Sequence, residues 1–379
     1  MNTTIPALAL ALTVVASATA SAHAAGPLPF SRSASGFVRD IELGINIGNT
    51  LDCPGGETEW GNRPITRGLI QLYKGKGINA VRVPVTWRRQ FDRDDANHTI
   101  STVFLDRVQD VVDLCISEGM VAILNIHHDE TQFEPSGKHY EESERYIRRI
   151  WSQLAERFRD YGGRLIMESM NEPRLMNNPH EWWWEANNPE CQEAADCLNR
   201  LNQVFVDTVR AAGGENANRY LMVPAYDANP AYACDPQFVL PTDTVENRII
   251  VSAHAYTPYA FALEMPGRAT FSVESAANRA EVTGFMDQLY KTFVSKGIPV
   301  LIGEFGALAK TDAQGDHMQD RVDFTAFYVA SARARGMTVC WWDNHAFEGN
   351  GEKFGLIDRR TMEWKAPKIL EAMMTYCGE

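Results

Sequence analysis

Two glutamates follow stretches that have the character of β-strands. Glu172 comes after the predicted strand 165–170, and Glu304 comes after the predicted strand 299–303. Glycoside hydrolysis requires two carboxyl groups: an acid that protonates the leaving oxygen and a carboxylate for the other face of the sugar. Taken singly, each glutamate could instead cap a helix or belong to an ion pair. Together they predict a site that cleaves glycosidic bonds.

Polar and aromatic side chains also gather where other predicted strands end. They are Arg82, His127, His128, Asp129, Asn171, His254, Tyr256, Trp341, Trp342, Asp343 and Asn344. A purely structural distribution would scatter such residues along the strands. Their position at one end of the strands therefore favours a functional site there.

Arg82 stands among valines at positions 81, 83 and 85, so its side chain points away from their face. A guanidinium flanked by apolar residues needs a partner, and a carboxylate at the same end of the strands is the expected one. Glu168 is a rival for the catalytic acid because it shares strand parity with Glu172. It lies deeper in the strand, so we interpret it as a structural partner for Arg82 or for a histidine.

Tryptophans provide a second signal. Trp182, Trp183 and Trp184 form a run after the fourth predicted strand, and Trp60 and Trp87 lie in earlier loops. The apolar faces of pyranose rings stack on aromatic side chains, so several tryptophans in a cleft suit a sugar chain. For any single tryptophan, ordinary packing is an equal alternative.

The elements that must position these residues alternate between strand and helix. The predicted strands are 42–47, 80–85, 121–126, 165–170, 220–224, 249–253, 299–303 and 338–342, and the predicted helices are 66–76, 102–118, 141–161, 194–212, 277–296, 319–335 and 366–376. The strands are short and apolar on both faces, as in a parallel sheet covered on both sides. Eight such units predict an α/β fold, a single-domain (β/α)₈ TIM barrel, with its chemistry at the carboxyl ends of the strands. Only the segment 225–248 lacks a clear helical pattern.

The amino-terminal 24 residues contain no charged side chain and end in Ala22-His23-Ala24. An apolar stretch before such a site is typical of a secretory signal peptide, so we expect residues 1–24 to be removed and the protein to be secreted, extracellular or periplasmic. Residues 25–36 are interpreted as a short connector and 37–379 as the barrel. Export would expose seven cysteines to oxidation, and Cys191 and Cys197 could form a disulfide bond in a polar loop.

The 379-residue chain carries a net charge of −13, which makes nucleic acid an unsuitable partner. No internal apolar run approaches the roughly 18 residues of a membrane span. We expect a monomer that needs no cofactor and no metal. A metal-dependent hydrolase using His127, His128, Asp129 and His254 is an alternative. However, adjacent histidines on a strand point to opposite faces. A catalytically inert carbohydrate-binding protein is the other alternative, but it would not need both glutamates.

The motifs resemble those of glycoside hydrolase family 5. They are GINIGNTLD at 44–52, ETEWGN at 57–62, VRVPVTW at 81–87, NEP at 171–173 and GEFG at 303–306, and the first two are most similar to subfamily 4 endoglucanases. The resemblance implies Glu172 as acid/base and Glu304 as nucleophile. It further implies supporting roles for Asn49, Arg82, His127, His128, Asn171, His254, Tyr256 and Trp342. Ile45, Arg63 and the longer loop 177–197 depart from the pattern.

Within this family, the expected activity is that of a secreted endo-β-1,4-glucanase acting on a β-glucan by retaining double displacement. The two carboxyl groups should then lie about 5–5.5 Å apart. Glu172 should have a raised pKa so that it can donate a proton, and Glu304 should stay ionised. Xyloglucanase, lichenase, xylanase and mannanase remain alternatives, because the cleft loops set the substrate.

Overall fold

Eight parallel strands close into a barrel in the computed structural model, which describes residues 30, 32–92, 95–349 and 351–377. The strands are β1 (Gly44–Ile47), β2 (Ala80–Val83), β3 (Val121–Asn125), β4 (Leu165–Glu168), β5 (Leu221–Pro224), β6 (Ile249–His254), β7 (Val300–Phe305) and β8 (Thr338–Asp343). Each strand pairs with its neighbours in sequence, and β8 pairs with β1 to close the ring. The predicted (β/α)₈ barrel is confirmed. The predicted signal peptide lies outside the described residues.

Helices surround the barrel. They are α1 (Ala34–Asp40), α2 (Arg67–Lys74), α3 (Thr102–Ser117), α4 (Tyr140–Arg157), α5 (Pro189–Ala211), α6 (Pro230–Ala233), α7 (Tyr259–Ala262), α8 (Ala276–Thr292), α9 (Met318–Arg333) and α10 (Pro367–Met374). Side-chain oxygens of Thr66, Asn188 and Ser275 accept main-chain N–H groups in the first turns of α2, α5 and α8. Such caps fix where a helix begins. Segment 225–248 contains only short helical turns between β5 and β6, as its composition predicts. Among the described residues, no helix combines the length and apolar character needed to cross a bilayer.

The strand alternation separates two apolar regions. Outward-facing side chains such as Val81 and Val83 pack beneath the helices in the main core. Inward-facing side chains such as Ile123, Met222 and Leu301 fill the lower part of the barrel. The polar inward residues, including Arg82, therefore occupy the upper part of the barrel, near the carboxyl ends of the strands.

Helix α1 closes the bottom of the barrel, since its Ala34 and Val38 belong to the same apolar cluster as the inward-facing residues. Phe37 stacks on Tyr220 at a centroid distance of 4.4 Å. The helix begins inside the segment that the sequence suggests is a connector. The amino-terminal segment thus shields the barrel core from water at the end opposite to the site.

The predicted Cys191–Cys197 disulfide is wrong. Both residues lie on α5, which begins at Pro189, earlier than the predicted helix start at residue 194, and both are free thiols. Six residues of α-helix span about 9 Å. A disulfide requires Cα atoms within about 7 Å, so one helix cannot bridge this spacing. All seven cysteines are free in the structure.

Candidate active site

The two candidate catalytic glutamates meet at the top of the barrel. Glu304 lies within β7, and Glu172 lies in the loop just beyond the end of β4. One oxygen of each carboxylate and a ring nitrogen of His254 all lie within 4.8 Å of one another. Glu304 is buried, whereas Glu172 is partly open to the cleft. The two glutamates that the sequence predicts as a pair therefore lie close together, because both stand at the carboxyl ends of barrel strands.

Arg82 is fully buried and binds two carboxylates. Its Nε donates to Glu168 at 2.7 Å and its Nη1 donates to Glu304 at 2.7 Å. Nη1 also donates to Asn46 Oδ1 at 3.0 Å, and Nη2 donates to Asn171 Oδ1 at 2.8 Å. The expected carboxylate partner of Arg82 is confirmed, and Glu168 is the structural partner that its depth in β4 predicts.

Small residues make room for this arrangement. A Cβ atom on Gly303 would lie 3.1 Å from His254 Nε2 and 3.4 Å from Arg82 Nε, so a side chain there would crowd both groups. Glu168 accepts a second hydrogen bond from Ser252 Oγ at 2.6 Å. A buried ion pair is stable only when its remaining hydrogen-bonding groups are satisfied, and these contacts supply that condition.

Glu304 receives donors on both oxygens. Besides Arg82 on Oε1, Tyr256 donates its hydroxyl proton to Oε2 at 2.9 Å. Burial and the negative charge of Glu304 raise the pKa of Tyr256 well above its ordinary value, so the hydroxyl remains a donor. Charge-assisted hydrogen bonds of this kind hold a carboxylate in one orientation.

His254 Nδ1 lies 2.8 Å from Glu172 Oε1 and 3.7 Å from Glu304 Oε1. Burial lowers the pKa of His254, and its Nε2 has no partner among the described residues. Both effects oppose its positive charge. The two nearby carboxylates outweigh them and raise its pKa above the ordinary value.

The expected raised pKa of Glu172 is not what the structure shows. Burial raises the pKa of this carboxyl, but the hydrogen bond from His254 and the positive charges of His254, Arg174 and His128 lower it below its ordinary value. In the free enzyme the surroundings therefore favour the ionised form of Glu172 and a proton on the hydrogen-bonded imidazole of His254.

His127 and Trp342 form a wall of the cleft. Their rings are parallel, with centroids 5.6 Å apart. His127 Nδ1 lies 3.1 Å from Asn125 Nδ2, which makes Nδ1 the acceptor and leaves Nε2 as the donor. Burial and nearby positive charges lower the pKa of His127 well below its ordinary value, so the ring is neutral. A Cβ atom on Gly48 would lie 2.7 Å from the Trp342 ring, so the bare backbone supports that ring.

His128 belongs to a charged network that the sequence analysis missed. Its Nδ1 lies 3.8 Å from Glu130 Oε1, and Arg174 Nη1 donates to the same oxygen at 3.1 Å. Arg174 Nη1 also donates to the main-chain oxygen of Glu172 at 2.8 Å. The network thus holds the backbone of the candidate acid. An arginine directly after the NEP motif, at position 174, is the feature of the sequence that could have indicated this network.

Asn49 lies at one end of the cleft with a left-handed backbone (φ 58°). Its N–H donates to Asp52 Oδ2 at 2.9 Å, and its carbonyl accepts from Asn62. A cavity of about 380 Å³ adjoins it and does not include either candidate catalytic glutamate. Its lining residues are Asn49, Trp60, Gly61, Asn62, Asn344, His345, Ala346, Phe347, Glu348, Asp358 and Arg360.

The three consecutive tryptophans differ in their surroundings: Trp184 is packed, whereas Trp182 and Trp183 are exposed. Trp184 packs against Tyr232 and donates its indole N–H to the Cys191 carbonyl at 2.8 Å. Trp182 is 48% exposed and lies under the Arg174 guanidinium, 4.1 Å from the ring centroid, and Trp183 is 72% exposed. Trp87 and Trp341 are core residues with no exposed surface.

Two clusters of the described residues have the composition of a metal site. They are Asp52, His127 and His128, and Glu172, His254 and Glu304. The two adjacent histidines come together because β3 ends at Asn125, before either of them, so the expectation that they point to opposite faces is wrong. Asp129, the fourth ligand of the metal-dependent alternative, instead accepts main-chain N–H groups of Trp87 and Arg88.

A closed (β/α)₈ barrel that presents two carboxylates and stacking aromatics at its strand ends has the site of a glycoside hydrolase. Residues 45–348 match the sequence model of the cellulase family, glycosyl hydrolase family 5. The chain therefore belongs to glycoside hydrolase family 5. This finding confirms the resemblance that the motifs indicate.

Three similar proteins show how far the likeness extends. Cellulase/esterase CelE of Acetivibrio thermocellus is 38% identical over 347 residues, covering 91% of this chain and 41% of that protein, so the chain spans less than half of that relative. A family 5 lichenase from Caldicellulosiruptor sp. F32 is 44% identical, with 99% and 100% of the two chains covered and a TM-score of 0.86. A GH5-4 broad specificity endoglucanase from Ruminococcus champanellensis with bound cellotriose is 39% identical, with 91% and 99% covered and a TM-score of 0.84.

Proposed function

We propose that this glycoside hydrolase is an endo-β-1,4-glucanase that acts by retaining double displacement. The observation that carries the proposal is the position of the two carboxylates, whose nearest oxygens lie within 4.8 Å. Retaining enzymes hold their carboxyl groups about 5–5.5 Å apart, whereas inverting enzymes need about 6.5–9.5 Å to admit a water. The short separation supports a covalent intermediate and leaves no space for an intervening water.

In the first step, Glu304 attacks the anomeric carbon while Glu172 protonates the leaving oxygen. Arg82 and Tyr256 hold the two oxygens of Glu304, which orients the nucleophile and restricts its rotation. The proton comes from the Glu172–His254 pair, in which transfer from imidazole to carboxyl becomes favourable as negative charge develops on the leaving oxygen.

In the second step, Glu172 accepts a proton from water while the water oxygen attacks the anomeric carbon, which breaks the ester bond to Glu304 and releases the sugar with Glu304 as a free carboxylate. Glu172 is the more accessible of the two carboxyls, with 21% of its side chain exposed against 6% for Glu304. Water can therefore reach the base while the nucleophile stays enclosed.

The surrounding side chains suit a glucosyl unit at the point of cleavage. Asn171 uses its amide oxygen to accept from Arg82, so its NH₂ group is the one left to donate to a sugar 2-hydroxyl. Trp342 would stack beneath the ring, and the neutral His127 and the neighbouring His128 would bind hydroxyl groups. Asn49 and Trp60 extend the cleft toward further glucosyl units.

The names of similar proteins support a β-glucan as substrate. They include a lichenase, a cellulase/esterase and a broad specificity endoglucanase. We propose linear β-1,4-glucan as the main substrate and mixed-linkage glucan as a further one. Hydrolysis of a panel containing cellulose, mixed-linkage glucan, xyloglucan, xylan and mannan, with product analysis, tests this proposal. Internal cleavage of the first two supports it, and activity confined to xylan or mannan would contradict it.

We also propose that the enzyme is secreted and that residues 1–24 are removed. The uncharged apolar stretch before Ala24 supports export. Amino-terminal sequencing of the protein released from the producing cells would show Ala25 as the first residue. An intact Met1 in the released protein would contradict the cleavage.

A further inference from the structure

Asn125 is the last residue of β3, and its side chain is fully buried two positions before His127. Its amide Nδ2 lies 3.1 Å from His127 Nδ1, and its Oδ1 accepts the main-chain N–H of Val85 at 3.1 Å. The carbonyl oxygen of Val85 accepts the main-chain N–H of His127 at 2.8 Å. These three contacts join the amide, the backbone beyond β2 and the histidine, and none of the catalytic steps described above uses Asn125.

The N–H of Val85 determines which way the Asn125 amide points. A main-chain N–H can only donate, so the amide atom that faces it must be the oxygen. A reversed amide would place two donors against each other. The NH₂ group therefore faces His127, and because it can only donate, His127 Nδ1 must accept and carries no proton. The proton of the neutral ring consequently lies on Nε2.

The Nε2 proton of His127 has no acceptor within the part of the chain that the structure describes. Unlike Nε2 of His254, this nitrogen is not enclosed. The ring lies parallel to Trp342, with the two centroids 5.6 Å apart. The wall of the cleft thus offers an N–H donor whose direction is already set.

The groups around His127 keep its ring neutral. Burial lowers the pKa of His127 well below its ordinary value, and four positive groups lower it further. These groups are His128, Arg82, His254 and Arg174. Asp52 has a carboxylate oxygen within 4.8 Å of a ring nitrogen, but its two oxygens accept the main-chain N–H groups of Asn49 and Thr50. Asn125 itself adds no negative charge that would favour a second proton on the ring.

We propose that Asn125 is a positioning residue that fixes the Nε2–H tautomer of His127, so that this ring donates a hydrogen bond to a hydroxyl oxygen of the glucosyl unit at the point of cleavage. The proposal rests on the proposed function, in which that unit stacks on Trp342. A donor that is set before the substrate arrives needs no rearrangement on binding. Because the donor is neutral, it brings no further positive charge to the two catalytic carboxyls.

NMR of the full-length enzyme labelled with ¹⁵N-histidine measures the tautomer directly, because a ring nitrogen with a proton and one without a proton resonate at different shifts. His127→Gln identifies the His127 signals by their absence. EDTA is present so that no metal ion binds the ring. The wild-type ring should be neutral with its proton on Nε2. A proton on Nδ1 in the neutral wild-type ring would overturn the proposal, and this outcome requires no variant at position 125.

Asn125→Asp tests the consequence for catalysis. The aspartate can still accept the Val85 N–H, but its second oxygen requires a proton on His127 Nδ1, and its charge should raise the pKa of His127. At acidic pH the charged ring has both protons and Nε2 still donates. As the pH rises through the raised pKa, the ring keeps the Nδ1 proton and loses the Nε2 proton. On the alkaline side, kcat/KM for cellopentaose should therefore fall about tenfold more than in wild type, in step with the NMR titration.

Asn216→Asp is the matched control, because Asn216 is equally buried but precedes β5, at the opposite end of the strands. Its Oδ1 accepts from Arg219 at 2.7 Å and its Nδ2 donates to the Ala155 carbonyl at 2.8 Å. This variant should keep the His127 tautomer and the wild-type pH profile. An unchanged alkaline limb in Asn125→Asp, or an equal loss at every pH, would overturn the proposal. Wild-type enzyme that is inactive on every β-glucan would overturn the proposed function, and NMR would still report the tautomer.

Discussion

One carboxylate oxygen of Glu172 and one of Glu304 lie within 4.8 Å of each other, although 132 positions separate the two residues in the chain. The barrel produces this proximity because β4 and β7, three strands apart in the ring, direct their carboxyl ends to the same face. His254 on β6 lies within hydrogen-bonding distance of Glu172 and 3.7 Å from Glu304. The proposed mechanism uses this arrangement of one imidazole between two carboxylates.

Replacement of the nucleophile should stop the first step. Glu304→Ala should abolish glucan hydrolysis, because no carboxylate remains to attack the anomeric carbon. Azide should not restore a β-glycosyl product, since an anion that replaces Glu304 attacks from that face and inverts the configuration once. Activity assays and NMR of the product configuration check this prediction, and wild-type turnover in the variant would exclude Glu304 from the mechanism.

Arg82 should be essential for stability as well as for catalysis. Arg82→Met leaves Glu168 and Glu304 without their buried positive partner, and loss of one member of a buried pair costs about 3–5 kcal/mol. Arg148→Ala is the control, because Arg148 pairs with Glu144 on the surface and such pairs contribute about 0–1 kcal/mol. Urea denaturation measures both variants. Equal, small losses of unfolding free energy would contradict the structural role of Arg82.

The tryptophan run should separate into two functions. Trp183→Ala should keep the melting temperature and lower the affinity for long glucans, because its ring is largely exposed. Trp184→Ala should lower the melting temperature, because it removes the packing on Tyr232 and the hydrogen bond to Cys191. Calorimetric titration with cellohexaose and thermal unfolding check both variants. If Trp183→Ala bound long glucans as wild type does, this ring would not be a sugar platform.

His317 should make stability depend on pH. Its Nε2 lies 2.8 Å from Asp312 Oδ2 and its Nδ1 lies 3.2 Å from Asp320 Oδ2, and these partners raise the pKa of His317 above the ordinary value of about 6.5. The folded state binds the proton more tightly, so this stabilisation is complete below that pH and declines as the pH rises through the raised pKa.

The melting temperature of wild type minus that of His317→Gln should therefore be positive at acidic pH and should decrease on the alkaline side. Thermal unfolding of both proteins between acidic and alkaline pH measures the difference. The control is His180→Gln, which replaces a histidine with no ion-pair partner among the described residues. A difference that stays constant with pH would show that the charge of His317 does not contribute.

The position of residues relative to strand ends could be predicted from the sequence, because short apolar runs that alternate with helical patterns locate the strands. Arg82 illustrates this, since valines at 81 and 83 on the outer face required an inward guanidinium. The Cys191–Cys197 pairing failed because Asn188 and Pro189 begin a helix, a cap signal that should have excluded a loop.

Distances between side chains could not be predicted in the same way. The direction of the pKa shift of Glu172 depends on a 2.8 Å hydrogen bond from His254 and on the charges of Arg174 and His128. A sequence shows that these residue types are present but not which of them come into contact. The juxtaposition of His127 and His128 likewise follows from their position beyond the end of β3, where the alternation of side chains in a strand no longer applies.

The most direct test of the retaining mechanism with Glu172 as acid/base uses 2,4-dinitrophenyl cellobioside and azide. Glu172→Ala should lose about 10²–10⁴-fold in each of the acid and base roles on glucans. On the activated substrate, its first step should survive and the intermediate on Glu304 should accumulate as a burst. Azide should then raise turnover and yield a β-glycosyl azide, because a small anion needs no base.

Glu168→Ala is the matched control, because this glutamate lies four residues earlier and binds Arg82 and Ser252. It should lose stability or overall rate and show no rescue by azide. We expect β-glycosyl azide from Glu172→Ala and none from Glu168→Ala. Rescue in Glu168→Ala without rescue in Glu172→Ala, or an α-glycosyl azide from Glu172→Ala, would contradict it.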